Sequence, residues 1–411
     1  LALNYHSLSA RVAVCFRGEN EEGTIAFEQL EKMSSDKIMK RVIFLFSDTG
    51  GGHRSATEAI IEALEFDYPG HFEIGMVDVF KEYAPRPLDK APDLYPEMTK
   101  LPLAWEVGYK LTDGQRRVRM LETTFRPYIK RAVTQLQEDY PAEIYVSVHP
   151  VFNEGFIREL GPDRPLFMTV VTDMITAHSF WYAPDADLCV VATDQARQRA
   201  IDNGVDPSKV EVIGLPVSQA HAREPGDRSE YCRQLGWPED LPVVLLIGGG
   251  EGMGPLRRTA IAISSLDVQF GLAIITGRNR ELREELQSRA WTRPVFVYGF
   301  ERRLPQMMRG ASLLVTKAGP GTISEALNAH LPIVLYSRLP GQEEGNVDFV
   351  VESGTGFWAP GPERSALTVR RILLNQSMLK DMRLRCAEHA RPEAARRIAK
   401  RIASQLELSN S

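Results

Sequence analysis

Short apolar runs alternate with helical stretches along this chain, in two successive sets. The first set is residues 41–46, 72–77, 144–148, 166–171, 187–192 and 210–213; the second is 243–247, 271–276, 295–298, 313–316 and 332–336. Near-continuous apolar strands separated by helices build parallel sheets covered on both faces. The expected fold class is therefore α/β, and two sets imply two doubly wound, Rossmann-like domains. A length of 411 residues suits that number. The break falls in 219–241, which is charged and carries Pro225, Gly226, Gly236 and Pro238. This divides the chain into a domain at 39–218, a linker at 219–241 and a second domain at 242–365. A helical, basic segment at 366–411 is expected to return to the first domain by analogy with similar folds. Residues 1–38 stand as an appendage, where 8–16 can add a strand.

Several of these strands run straight into glycine turns. The first gives Ser47-Asp48-Thr49-Gly50-Gly51-Gly52-His53-Arg54, followed by a helical stretch. Consecutive glycines let the backbone approach a ligand closely, and a helix start offers unpaired N–H groups and partial positive charge. At that mouth His53 can take a proton, and an ordinary imidazole with a pKa near about 6.5 suits the task. It can equally be a capping or packing histidine. The loop is neither G-x-G-x-x-G nor a Walker loop. In the second half, 243–247 runs into Gly248, Gly249, Gly250, Glu251, Gly252, Met253 and Gly254, a density of glycine that favours phosphate held by bare backbone over a plain turn. Next come Gly319, Pro320 and Gly321, with Thr322 as a helix cap or phosphate donor. One turn further, Glu325 can accept both hydroxyls of a ribose, or merely complement the helix dipole. Last, Gln342 and Glu343 stand in a polar loop where they can read sugar hydroxyls, and Asn346 supports that loop; a solvated turn is the plainer alternative. All three second-half loops fall at C-terminal strand ends, where open α/β sheets bind ligands. Jointly they favour a nucleotide diphosphate site.

The bulk numbers exclude other classes. A net charge of −5 gives no pull toward nucleic acid. Four cysteines without a C-x-x-C pair argue against a disulfide framework or cysteine zinc site, and fit a reducing cytosol. No run approaches the roughly 18 to 20 apolar residues of a membrane span. Residues 81–131 depart from the rest, with eleven basic residues against seven acids and interleaved aromatics. Trp105, Arg116, Arg117 and Arg119 are expected to meet an anionic lipid surface, unless the segment is an ordinary solvated face. Its first part, rich in proline, is expected to be loop. The expected localisation is the cytoplasmic face of a membrane, held peripherally.

The motifs at 47–54, 248–255, 317–326 and 339–347 together resemble the monogalactosyldiacylglycerol synthases. These are akin to bacterial processive diacylglycerol glucosyltransferases and to the N-acetylglucosaminyltransferase of the peptidoglycan lipid intermediate. Ser147-Val148-His149-Pro150, the stretch 171–178 and Gly214-Leu215-Pro216-Val217 add to the likeness. The resemblance implies a GT-B fold, two Rossmann-like domains facing each other across a cleft. It implies inverting transfer of a hexose, galactose or glucose, from a UDP-sugar to diacylglycerol, with no metal and no cofactor. His53 would be the base, Asp173 a support, and Gly51, Gly52, His149 and His178 would line the acceptor side. One departure is Phe180-Trp181-Tyr182, where galactolipid synthases tend to carry Cys-His-Pro. Competing readings are a UDP-sugar epimerase, an N-acetylglucosaminyltransferase on a lipid-linked intermediate, and a non-catalytic UDP-sugar or lipid-binding regulator.

Overall fold

The computed structural model describes residues 39–49, 51–86, 88–90, 102–150, 152–249 and 255–407. The appendage at 1–38 lies outside them, as do Gly50 and residues 250–254. Strands β1 Lys40–Phe46, β2 Phe72–Asp78, β3 Ile144–Ser147, β4 Leu166–Val170, β5 Leu188–Val191 and β6 Val210–Val212 form one sheet in the order β2-β1-β3-β4-β5-β6. Strands β7 Val243–Ile247, β8 Gly271–Ile275, β9 Val295–Tyr298, β10 Leu313–Lys317, β11 Ile333–Ser337 and β12 Gly356–Trp358 form the other, in the order β12-β11-β10-β7-β8-β9. Every pairing is parallel. Counted from β7 and read from the β9 edge, the second sheet has the Rossmann order 3-2-1-4-5-6. Both sheets therefore have a switch point, between β1 and β3 in the first and between β7 and β10 in the second. There the crossovers leave in opposite directions and open a crevice.

All eleven strands expected of the two sets are present, and β12 is additional; the strand expected at 8–16 lies outside the described residues. Strand β12 opens on a glycine, which ordinarily weakens a strand. Here the glycine permits contact: a Cβ on Gly356 would stand 2.2 Å from the Ile333 carbonyl oxygen. The edge strand can seat on β11 only without one.

The helices that bear on the site are α1 Gly52–Asp67, α2 Pro102–Thr112, α3 Gln115–Asp139, α4 Gln219–Ala222, α5 Arg228–Leu235, α6 Leu304–Gly310, α7 Pro320–Asn328, α8 Glu344–Glu352 and α9 Ala394–Gln405. Along α9, Ala394, Ala395, Ile398, Ala399, Ile402, Ala403 and Leu406 are buried in the cluster that also holds Ala56, Ala59, Ile60, Ala63 and Leu64 of α1 and Val42 and Phe44 of β1. Facing alanines let the two helix axes approach closely. Each isoleucine buried there contributes roughly 1.5–3 kcal/mol. Arg396 closes the contact at its edge by pairing with Asp67 at 2.7 Å. Helix α9, the chain's last, thus packs on the first sheet. The stretch 219–241 is no bare strap: it holds α4 and α5, and Cys232, Leu235 and Trp237 lie in the core of the second sheet.

Candidate functional site

The first switch point carries two histidines. Asp48 and Arg54 clasp the ends of the glycine turn through paired bonds of 2.6 and 2.7 Å, and Lys81 adds a third contact to Asp48 at 3.1 Å. Arg54 above all, with Lys81 beside it, holds the Asp48 carboxyl down at about 2. Gly51 has φ +80 and sits just before α1, with Gly52 opening the helix; a Cβ on either would meet nothing within 4 Å, so both border open space. The left-handed φ at Gly51 is one an L side chain rarely adopts. His53, in the first turn of α1, has its Nδ1 2.8 Å from Thr172 Oγ1, in the segment after β4. Its ring meets that of His149 edge-on at 4.5 Å and tilts toward Trp181 at 5.8 Å. Buried His149 follows β3, and its Nε2 lies 2.8 Å from Thr49 Oγ1. The turn after β1 and the turn after β3 thus place both imidazoles at the crevice.

Burial lowers the His53 pKa to about 4, with backbone hydrogen bonding at Val148 opposing it in part. The ordinary value near 6.5 expected from sequence is corrected here: among the described residues no carboxylate holds a proton on the ring. Burial, with the His53 ring beside it, also drives His149 well below the usual imidazole range.

Asp173 adjoins this pair without touching His53 through any hydrogen bond among the described residues. Its carboxylate accepts from Trp181 Nε1 at 2.7 Å and from Gln342 Nε2 at 3.0 Å. Burial raises its pKa against those two bonds. Because Gln342 follows β11, this contact joins the two sheets' loops. Thr176 adds to it by donating to the Gln342 carbonyl at 2.6 Å. Gly345 fits the same junction tightly: a Cβ there would lie 2.5 Å from Ile175 Cγ2. His178 belongs to a separate brace. Its Nε2 is 3.1 Å from Thr112 Oγ1, its Nδ1 accepts from the Phe180 amide, and its ring stacks on Phe180 at 4.9 Å.

Backbone dominates the second switch point. Gly249 adopts φ +73 at the end of β7; Gly250, Glu251, Gly252 and Met253 lie outside the described residues. After β10, Gly319 is the N-cap of α7, with Pro320, Gly321 and Thr322 as its first three residues. Thr322 is consequently not the cap, a correction to one of its two expected roles. Pro at the first helical position has no N–H to leave unpaired, and no side chain caps this helix start among the described residues. A Cβ on Gly321 would meet nothing within 4 Å, so open space stands before those amides.

Lys317 is the residue sequence reasoning passed over. At the end of β10 its ammonium group donates to Glu343 Oε1 at 2.6 Å. A Cβ on Gly249 would stand 3.3 Å from Lys317 Cε, and one on Gly319 3.5 Å from its Nζ. One cation therefore lies between both glycine loops. The signal was a lysine ending an apolar strand immediately before Ala-Gly-Pro-Gly. Glu343 is buried and turned inward, also accepting from the Leu339 amide at 2.8 Å. Asn346 is buried and donates to the Ala318 carbonyl at 2.9 Å, fixing the turn that precedes Gly319. Glu325, one turn into α7, has its carboxyl pushed up to about 8 by burial. Among the described residues no group of three or more His, Cys, Asp or Glu side chains is arranged to hold a metal ion.

Helix α2 starts at the last of the prolines expected to keep that region as loop. Leu103, Val107 and Leu111 recur every fourth residue along α2 and are 78, 56 and 66% exposed. Arg116, Arg117 and Arg119 are exposed at the start of α3. Arg117 donates to the Lys110 and Asp113 carbonyls, and Arg119 pairs with Glu154 at 2.9 Å. Trp105 is half-buried. Among the described residues no helix is long and apolar enough to cross a membrane.

A family model described as monogalactosyldiacylglycerol (MGDG) synthase matches residues 53–217, and one described as the glycosyltransferase family 28 C-terminal domain matches residues 243–360. The chain is 35% identical over 386 residues to monogalactosyldiacylglycerol synthase 3, chloroplastic, of Arabidopsis thaliana, spanning 91% of this chain and 83% of that relative. It is 35% identical over 371 residues to the chloroplastic monogalactosyldiacylglycerol synthase of Spinacia oleracea, spanning 87% and 71%. Among solved structures, MurG of Acinetobacter baumannii aligns with a TM-score of 0.57 at 15% identity, over 89% of this chain and 99% of that one. A putative UDP-N-acetylglucosamine 2-epimerase from Listeria monocytogenes aligns with a TM-score of 0.58 at 14% identity, over 90% and 98%. Those two likenesses concern the fold, which is GT-B.

Proposed function

The chain belongs to the monogalactosyldiacylglycerol synthase family, and on that footing we propose that it transfers galactose from UDP-galactose to the free hydroxyl of 1,2-diacylglycerol, with inversion. The observation that carries the chemistry is the opposition of two switch points joined by Asp173 and Gln342. One presents an imidazole, the other glycine loops around a lysine. In this reading His53 carries its proton on Nδ1, shared with Thr172 Oγ1 at 2.8 Å, so that the Nε2 lone pair is left for the acceptor. As the acceptor oxygen bonds to the anomeric carbon, its proton passes to His53 and the bond from that carbon to the diphosphate breaks. UDP leaves with its charge received by the amides at the start of α7 and by Lys317. Glu343 orients Lys317, Asn346 steadies the turn, Gln342 reads the hexose and Glu325 the ribose. Asp173 supports the site by holding Gln342.

An imidazole at about 4 is neutral at physiological pH and ready to accept. It is also a weak base. Bound diphosphate supplies the remedy, because negative charge across the crevice favours the imidazolium and raises that pKa. Donor binding thereby prepares the base. A positioned base of this kind contributes about 10²–10⁴ in rate.

Lipid reaches the crevice from a membrane surface in this reading. The exposed α2 stripe of Leu103, Val107 and Leu111 enters the headgroup region, flanked by Trp105, Arg116, Arg117 and Arg119. The test is to incubate the purified chain with vesicles of diacylglycerol and anionic lipid, supply either UDP-galactose or UDP-glucose, and identify the glycolipid. Galactolipid formation from UDP-galactose supports the reading. Glucolipid alone corrects the hexose, and epimerised UDP-sugar without acceptor overturns the reaction class.

A further inference from the structure

Helix α4 is four residues long, yet it is held from several directions at once. The Gln219 amide donates to Glu62 Oε2 of α1 at 2.9 Å. On the other side, the Arg309 guanidinium of α6 donates to the Ala220 and Arg223 carbonyls at 2.7 and 2.6 Å. Between these anchors His221 is buried, and its Nε2 lies 3.7 Å from Glu325 Oε1 of α7. Fixing a short crossing segment this firmly costs backbone entropy, and what it fixes is an imidazole facing one carboxyl group. We propose that His221 is a positioning residue for the donor: its imidazole orients Glu325 so that the carboxylate meets the ribose hydroxyls. This rests on the reading that Glu325 receives the ribose hydroxyls.

The chemistry follows from what each group can accept and give. A ribose offers two O–H donors, and a carboxylate is an acceptor through both oxygens, whereas a carboxylic acid spends one position on its own proton. Burial pushes the Glu325 carboxyl up to about 8, so in the empty site it holds that proton near neutral pH. Burial, helped by the Arg309 charge, pushes His221 down to about 4, so its imidazole is neutral. On ribose binding Glu325 gives up its proton to solvent, and neutral His221, with Nε2–H as the donor, faces Oε1 and holds the carboxylate in place.

The test is titration calorimetry of UDP and 2′-deoxy-UDP with the full chain, together with steady-state transfer. His221→Ala is expected to weaken UDP by about tenfold, a loss of about 1.4 kcal/mol. It should lower the preference for UDP over 2′-deoxy-UDP, and leave kcat at saturating donor within about twofold of wild type. Made on top of Glu325→Ala, the same change should cost nothing more, because the effect passes through the carboxylate. His221→Leu keeps comparable bulk but offers no N–H, and is expected to show the same loss should the alanine variant fold poorly. UDP affinity unchanged in His221→Leu overturns the proposal, as does a His221→Ala loss that persists in full without Glu325. If Glu325→Ala itself leaves UDP affinity and the 2′-deoxy preference unchanged, the ribose reading fails first and this proposal goes with it.

Discussion

The two switch points are built on one local plan and differ in what surrounds it. Each is a buried parallel strand, a glycine turn and a helix start. On the first sheet the turn is ringed by side chains in polar pairs: His53 with Thr172, His149 with Thr49, Asp48 with Arg54. The second sheet's turns are mostly bare backbone around one lysine, with Asn346 spent on a carbonyl and Glu343 turned inward. The contrast teaches that a glycine turn alone does not declare its chemistry. Buried imidazoles with neutral partners suit moving a proton, whereas amides and an ammonium group suit holding a diphosphate.

If that division is right, damage on the second sheet should fall on binding. Lys317→Met is expected to weaken UDP by about 10- to 100-fold, the worth of a hydrogen bond to a charged group, with kcat at saturating donor little changed. A calorimetric Kd within threefold of wild type would remove Lys317 from the diphosphate site. Damage among the first sheet's pairs should fall on turnover instead. Thr172→Val is expected to lower kcat by about five- to tenfold, the worth of one neutral hydrogen bond, while Thr172→Ser restores it. Should Thr172→Val change donor KM and spare kcat, the two lobes do not divide the work in this way.

Much of this was legible beforehand. Apolar runs identified the strands because parallel sheets bury both faces, and the glycine turns at 47–54 and 317–326 marked the crevice. The misses have physical reasons. The strand at Gly356–Trp358 was absent from the expected set because a sequence does not reveal that a neighbouring carbonyl forbids a Cβ there. His53 was given an ordinary pKa because its surroundings come from residues far along the chain, Val148, His149 and Trp181. Thr172 and Lys317 stood inside recognised motifs without a role of their own, since a threonine beside an aspartate or a lysine ending a strand acquires meaning only in three dimensions.

A smaller effect sets a control away from both crevices. Glu122 of α3 is fully buried, and burial raises its carboxyl to about 7. The folded chain therefore binds this proton more tightly than the unfolded chain, whose value is the ordinary 4.5. Its contribution is fully present below about pH 4.5 and is lost as pH rises through about 7. Glu122→Gln is expected to gain on the order of 2 kcal/mol in stability at pH 8 relative to pH 5, with transfer unaffected. Parallel denaturation curves for variant and wild type at both pH values would contradict that assignment.

The central claim is that the base and the donor site reside on opposite sheets, and His53→Ala tests it most directly when transfer and UDP binding are measured on the same preparation. Turnover at saturating donor is expected to fall by about 100-fold or more, with the UDP dissociation constant within twofold of wild type. Near-normal turnover in the folded variant would contradict the account, and so would a loss of UDP affinity that matches the loss of rate.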